Sequence, residues 1–187
     1  IPEVADAEGR SSLSVKVEVA PGEWQNLTVT AIDDFEDIRI NRIEPVYTVN
    51  GNPGFGAERS TWPEKNEIIL ERSGLTAQDV LPAGLQVGDE LRLLSINDRE
   101  RMIRVTGAVY DPNGFSARFS GTASGYVDYD TFERLGGERA YDQITLRVNG
   151  TPVATNFVDA EHLSFDLTAA TVTSWTVDGA NVTLHNA

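Results

Sequence analysis

The stretch from Glu100 to Gly137 constrains the fold of this 187-residue chain more than any other part of it. Ile103, Val105, Gly107 and Val109 alternate with Arg104, Thr106 and Ala108. That period of two places successive side chains on opposite faces of a pleated strand. Pro112-Asn113-Gly114 stops the strand with a turn, because proline presets φ and glycine accepts backbone angles that other residues avoid. Phe115 to Gly125 follows, rich in glycine and serine and uncharged except at Arg118. A short strand over Tyr126 to Tyr129 and a one-turn element over Thr131 to Leu135 complete the stretch, closed by Gly136-Gly137. Nothing in it pairs an acid with a base or gathers metal ligands. The segment is built for shape, which points away from catalysis.

Similar alternation recurs along the chain. Leu13, Val15, Val17 and Val19 face one way and Ser14, Lys16 and Glu18 the other; after Pro21-Gly22, Leu27, Val29 and Ala31 resume the pattern. The two runs predict a β-hairpin. Ile32 to Asn41 is acidic, then mixed, and reads as loop with a short strand or turn. Thr48 to Lys65 is linker-like, broken by Gly51, Pro53, Gly54, Gly56 and Pro63. Glu67 to Leu70 is strand-like, and Ser73 to Leu85 is a short helix or turn. Val87-Gly88-Asp89-Glu90-Leu91 opens a further strand, and Ile144, Leu146 and Val148 another. A turn residue about every 8–12 positions is the spacing of a small barrel or sandwich. The tail supports two readings. Asp159 caps a helix that Leu163 and Leu167 would continue, or Asp178-Gly179 turns a hairpin between β-branched runs. The breaks divide the chain into outer segments 1–50 and 140–187 around a β-rich insert, 51–139.

Charge narrows the partners. Fifteen basic against 29 acidic residues leave a net charge of −14. Phosphate backbones and anionic headgroups would repel such a chain, so nucleic acid is not an expected partner. With no cysteine, disulfides, thiolate nucleophiles and zinc–thiolate sites are excluded. No run reaches the roughly 18 apolar residues that span a bilayer. The chain opens at Ile1 without a methionine and reads as a piece of something longer.

The candidates for chemistry are few. His162 and His185 stand 23 positions apart with no third histidine, and read as surface residues. Asp33, Asp34, Glu36 and Asp37 lack the spacing and glycine of an EF-hand loop, so a solvated acidic loop is the default. Asp128 and Asp130 could face one side of a strand as paired carboxylates, the basis of a hydrolase reading, but no aromatic platform flanks them. No phosphate-binding loop or nucleophile elbow is present. The sequence therefore predicts no catalytic residue, no metal and no cofactor. The sharper expectation is a partner or cargo contact through Phe115, Arg118, Phe119 and Tyr126. One class of protein compatible with this is a free-standing secreted carbohydrate- or surface-binding β module.

A second class comes from resemblance. Val4-Ala5-Asp6-Ala7-Glu8-Gly9-Arg10, Thr61-Trp62-Pro63, Glu67 to Ser73, Val87-Gly88-Asp89, Val105 to Pro112, Phe119-Ser120-Gly121-Thr122, Gly125-Tyr126-Val127 and Asp159-Ala160-Glu161-His162 follow one another in a distinctive order. In that order the chain resembles the extracytoplasmic domain of FtsX-like ABC-transporter permeases, the MacB-like periplasmic core. The resemblance spans nearly the whole chain. It departs at Thr48 to Arg59, which is longer and richer in glycine than the family pattern. It implies an α+β fold, with a discontinuous porter-like α/β subdomain (1–50 and 140–187) and an inserted β-rich sabre-like subdomain (51–139). It tips the tail toward a helix from about Asp159 to Val177 and a strand from Asn181 to His185. It also implies a non-catalytic domain on the extracytoplasmic face of a bacterial membrane. The partners implied are a second permease copy and a separate cytoplasmic ATPase subunit, with membrane contact only through helices outside this chain. ATP-driven motion would be coupled to export or extraction of a lipid, lipoprotein, peptide or drug, or to a partner protein.

Overall fold

The computed structural model describes residues 4–46, 61–148, 172–178 and 181–186. In chain order the elements are β1 (Val4–Ala20), β2 (Glu23–Ala31), β3 (Glu44–Pro45), β4 (Glu67–Glu71), β5 (Glu90–Leu94) and β6 (Glu100–Tyr110). Then come α1 (Ala117–Ser120), β7 (Ala123–Val127), α2 (Tyr129–Arg134), β8 (Gln143–Val148), β9 (Val172–Asp178) and β10 (Asn181–Asn186). Two compact units result, Ser11–Ala140 and the pair of segments Ile1–Arg10 and Tyr141–Ala187. The sequence had placed its breaks near 50 and 140.

In the Ser11–Ala140 unit, six strands close on themselves. β1 pairs antiparallel with β2 through the predicted hairpin, and β2 runs parallel to β7. β7 pairs antiparallel with β4, β4 lies parallel to β6, and β6 pairs antiparallel with β5. β5 returns to β1 through Lys16↔Leu94 and Val17↔Leu93. Every strand of this barrel has a neighbour on both sides, so the ring has no free edge. The alternation read from sequence now has a physical destination. Val15, Val17, Leu27, Val29, Ile68, Leu70, Leu91, Leu93, Ile103 and Val105 are all buried in one cluster.

One strand breaks its own alternation. Between β4 and β6 the register shifts, with Ile68 opposite Val105 but Ile69 opposite Gly107. Thr106 is the extra residue, and its hydroxyl donates to the Ile68 carbonyl at 3.4 Å. A bulge of this kind reverses which side chains face inward beyond it. Ala108 therefore joins the barrel core, whereas Val109 joins a second cluster with Ile32, Ile38, Ile43, Ile69 and Tyr126, flanked by Phe35 and Trp62. The loop after β2, read as irregular, packs Ile32, Ile38 and Ile43 in this second cluster, and Phe35 stacks on Trp62 at 5.3 Å. Gly125 is required by the interior: a Cβ there would sit 2.6 Å from Ile68 Cδ1.

The other unit contains the first part of β1 paired antiparallel with β8, β8 paired with β10 and β10 with β9. This corrects the expected α+β architecture and its porter-like α/β subdomain. Among the described residues the only helices are α1 and α2, of four and six residues, and both belong to the Ser11–Ala140 unit. Residues 172–177, the end of the expected tail helix, form β9 and pair with β10 from Asp178↔Asn181 onward. Val172, Thr173, Thr176 and Val177 explain the outcome, because side chains branched at Cβ lose rotamer freedom in a helix and fit a pleated sheet. The hairpin reading of the tail is the one realised there; residues 159–171 lie outside the described residues.

Two outcomes test this description. Gly125→Ala is expected to lower unfolding free energy by about 1–3 kcal/mol through overpacking against Ile68, read from urea denaturation. Glu18 accepts from the Gly22 N–H at 2.9 Å and from Arg92 at 3.0 Å, and these two contacts hold its carboxyl below the usual range. A depressed carboxylate favours the folded state at neutral pH, and that contribution fades as pH falls from the ordinary glutamate range through the lower folded value. Stability measured against pH should therefore show a shallower acid limb in Glu18→Gln than in the parent.

Candidate functional site

Strand directions sort the loops of the barrel unit to two ends. Ser11 stands opposite Ala31 in the hairpin, and the Ser11 hydroxyl donates to the Ala140 carbonyl and meets the Tyr129 hydroxyl at 3.0 Å. The chain thus enters and leaves the unit at one end. At the opposite end lie the Pro21-Gly22 turn, the connection from β4 to β5, and the connection from β6 to β7. The β6–β7 connection is the loop singled out from the sequence.

Its first turn is tied from inside. The Asp111 carboxylate accepts from the Asn113 N–H at 2.8 Å and from the Tyr126 hydroxyl. Tyr126 is buried on β7, so of the four predicted contact residues it serves as an internal brace. The strand predicted over Tyr126 to Tyr129 starts and stops earlier, at Ala123–Val127. Asp128 instead caps α2, accepting from the Thr131 N–H at 2.8 Å.

The remaining three residues sit on and before α1. Phe119 N–H and Ser120 N–H donate to the Ser116 carbonyl. Gly121, at φ 70°, ends the turn in the left-handed region by donating to the Ala117 carbonyl. The buried Ala117 is the anchor, its N–H donating to Ser73 Oγ at 2.8 Å. Ser73 in turn donates through both its N–H and its hydroxyl to the buried Glu71 carboxylate at the end of β4. A chain of polar contacts, Glu71 to Ser73 to Ala117, therefore fixes α1 to the barrel wall.

On this fixed turn Phe115 is 86% exposed and Phe119 90% exposed, the two most exposed large apolar side chains among the described residues. Arg118 between them is also exposed. Beside the loop, Arg72 lies over the Tyr110 ring at 4.0 Å. Sequence reasoning found the aromatics but gave Glu71 and Ser73 no role of their own; they stand one and three positions after the apolar run Ile68-Ile69-Leu70.

The other candidates have structural duties or lie elsewhere. Asp130 pairs with Lys65 at 3.1 Å and Arg139 at 2.9 Å, and Lys65 first, then Arg139, keeps its carboxyl below the usual range. Asp128 and Asp130 are thus a helix cap and an ion pair. Asp34 accepts from the Glu36 N–H at 2.8 Å, and Asp37 meets Arg39 at 3.5 Å. Among the described residues no group of three metal-ligating side chains converges. His185 belongs to β10, opposite Gln143 and Ser174, and His162 lies outside the described residues. No helix among the described residues is long and apolar enough to cross a membrane.

Compared with known proteins, the chain matches no family model and no curated protein.

The Phe115→Ser/Phe119→Ser pair is expected to leave stability within about 0.5 kcal/mol of the parent, as for surface positions generally. Ser73→Ala, which strands the Ala117 N–H and takes the hydroxyl donor, though not the backbone one, from the Glu71 carboxylate, should cost about 1–3 kcal/mol. Urea denaturation of both variants checks the contrast; unfolding of the phenylalanine variant would make the loop part of the core.

Proposed function

We propose that this chain is a non-catalytic extracytoplasmic domain of an FtsX-like ABC-transporter permease, with Phe115, Arg118 and Phe119 meeting a partner or cargo. The observation that carries the contact surface is the exposure of two phenylalanines on a turn that the Glu71–Ser73–Ala117 contacts hold still. Burying each side chain on association would release about 1.5–3 kcal/mol. A pre-positioned turn loses little conformational freedom when it binds. These rings also stand at the end of the barrel unit remote from Ser11 and Ala140, where the chain enters and leaves.

The permease assignment rests on the ordered motifs. Several of them meet in the barrel unit: Glu67 to Ser73 supplies β4 and the tether, and Val105 to Pro112 supplies the bulged strand and the Asp111 turn. Val87-Gly88-Asp89 links the β5 approach to β6, with Gly88 N–H donating to the Val105 carbonyl at 2.8 Å and Val105 N–H to the Asp89 carbonyl at 2.9 Å. In this reading the domain lies on the extracytoplasmic face of a bacterial membrane. A second permease copy and a cytoplasmic ATPase act with it through membrane helices, and the barrel's far end transmits their motion.

The parent reading frame is expected to encode one membrane helix before Ile1 and three after Ala187. A frame encoding a secreted protein without them overturns the permease reading. In the intact membrane protein, a photo-crosslinking residue at 115 or 119 should capture another molecule, whereas the same probe at the exposed Ile96 should not. Equal capture at all three positions would remove the contact surface.

A further inference from the structure

Beside α1, at the same end of the barrel unit, the β1–β2 hairpin and the β4–β5 connection enclose a cleft of about 550 Å³. That volume lies within the range of small-molecule sites. Its apolar wall comes from Val19, Leu75, Leu81 and Leu85, and its charge from Glu23 and Asp79; no lysine, arginine or histidine lines it. The wall is firmly supported, because Leu81 and Leu85 are buried members of the barrel core and Val19 and Leu75 pack against that core. Gly74 lets the connection approach the barrel closely: a Cβ there would lie 3.2 Å from Ala123 Cβ and 3.4 Å from Leu81 Cδ1. Asp79 is held at φ 60°, a backbone region that residues other than glycine seldom occupy. Glu23 and Asp79 are both exposed, and neither forms an ion pair among the described residues.

An apolar wall with two carboxylates and no compensating cation selects by both surface type and charge. An anion meets two like charges at the cleft, on a chain whose net charge is −14. A neutral amphiphile gains only the wall. We propose that this cleft binds a cationic amphiphile, its short apolar body against Leu75, Leu81 and Leu85 and its ammonium or guanidinium head at Glu23 and Asp79. This site does not depend on the permease reading, and a secreted module with the same cleft would bind the same class of ligand.

The test titrates the 187-residue chain, by calorimetry and by amide chemical shifts, with octyltrimethylammonium, octyl sulfate and octyl glucoside, each below its micelle concentration. The ammonium probe should bind saturably at one site and more tightly than the other two, moving the amides of Glu23, Leu75, Asp79 and Leu85. Glu23→Gln/Asp79→Asn should weaken the ammonium probe on the order of fivefold while leaving octyl glucoside and the melting temperature unchanged. Four outcomes would overturn the proposal: no saturable binding, equal affinity for all three probes, shifts centred away from the cleft, or undiminished ammonium binding in the double variant.

Discussion

The return of β5 to β1 is the constraint on which the barrel depends. Two residue pairs, Lys16↔Leu94 and Val17↔Leu93, close a ring that every other pairing only extends. Without them β1 and β5 would each present an unpaired edge, and the cluster around Val17, Leu91 and Leu93 would open to water. Val17, Leu91 and Leu93 are completely buried at this seam. On the outer surface Arg92 of β5 reaches Glu18 of β1 at 3.0 Å and Glu100 of β6 at 2.7 Å. Exposed ion pairs contribute little individually, so burial closes the barrel and the Arg92 bridge aligns three strands across the join.

Closure also separates the two ends of the unit. One end carries the Ser11–Ala140 contact, through which the chain continues in both directions, together with α2 and its Asp128 cap. The other carries the Pro21-Gly22 turn and the β4–β5 and β6–β7 connections, with Asn41 of the segment after β2 accepting from Asn113 at 3.3 Å. There partly buried polar contacts, Glu71 with Ser73 and Asp111 with Tyr126, hold loops whose outermost side chains are bare aromatics. A loop serving only to join β6 to β7 has no need of two phenylalanines in water. The cleft beside it draws its wall from the same barrel core, so one folded scaffold fixes both surfaces.

Legibility in the sequence followed the range of the interaction concerned. The β1–β2 hairpin was read correctly because its alternation and its Pro21-Gly22 turn are local. The loop aromatics were visible because Phe115 and Phe119 stand in a segment with no apolar periodicity. Tyr126 was grouped with them by proximity along the chain, yet β7 turns it inward, where it meets Asp111. Val109 was assigned to the same face as Val105, and the Thr106 bulge, a consequence of pairing with β4, placed it on the other. Residue spacing left the tail open between helix and hairpin and resemblance tipped it toward a helix, but at residues 172–177 branching at Cβ and pairing with β10 prevailed.

From the sequence alone came the inward faces of β1 and β2, the hairpin, the absence of thiol chemistry and the strongly acidic charge, since each depends on residue type or on spacing of a few positions. Tertiary structure decided what those strands enclose. Parallel pairing of β2 with β7 and of β4 with β6 joins residues far apart in the chain, and no local period encodes it. The stretch from Glu100 to Gly137 shows both kinds of information: its alternation announced a strand, while the bulge at Thr106 and the tether from Ser73 to Ala117 arose only when β4 lay alongside. Closure of the ring then determined that the loop's phenylalanines would stand in water.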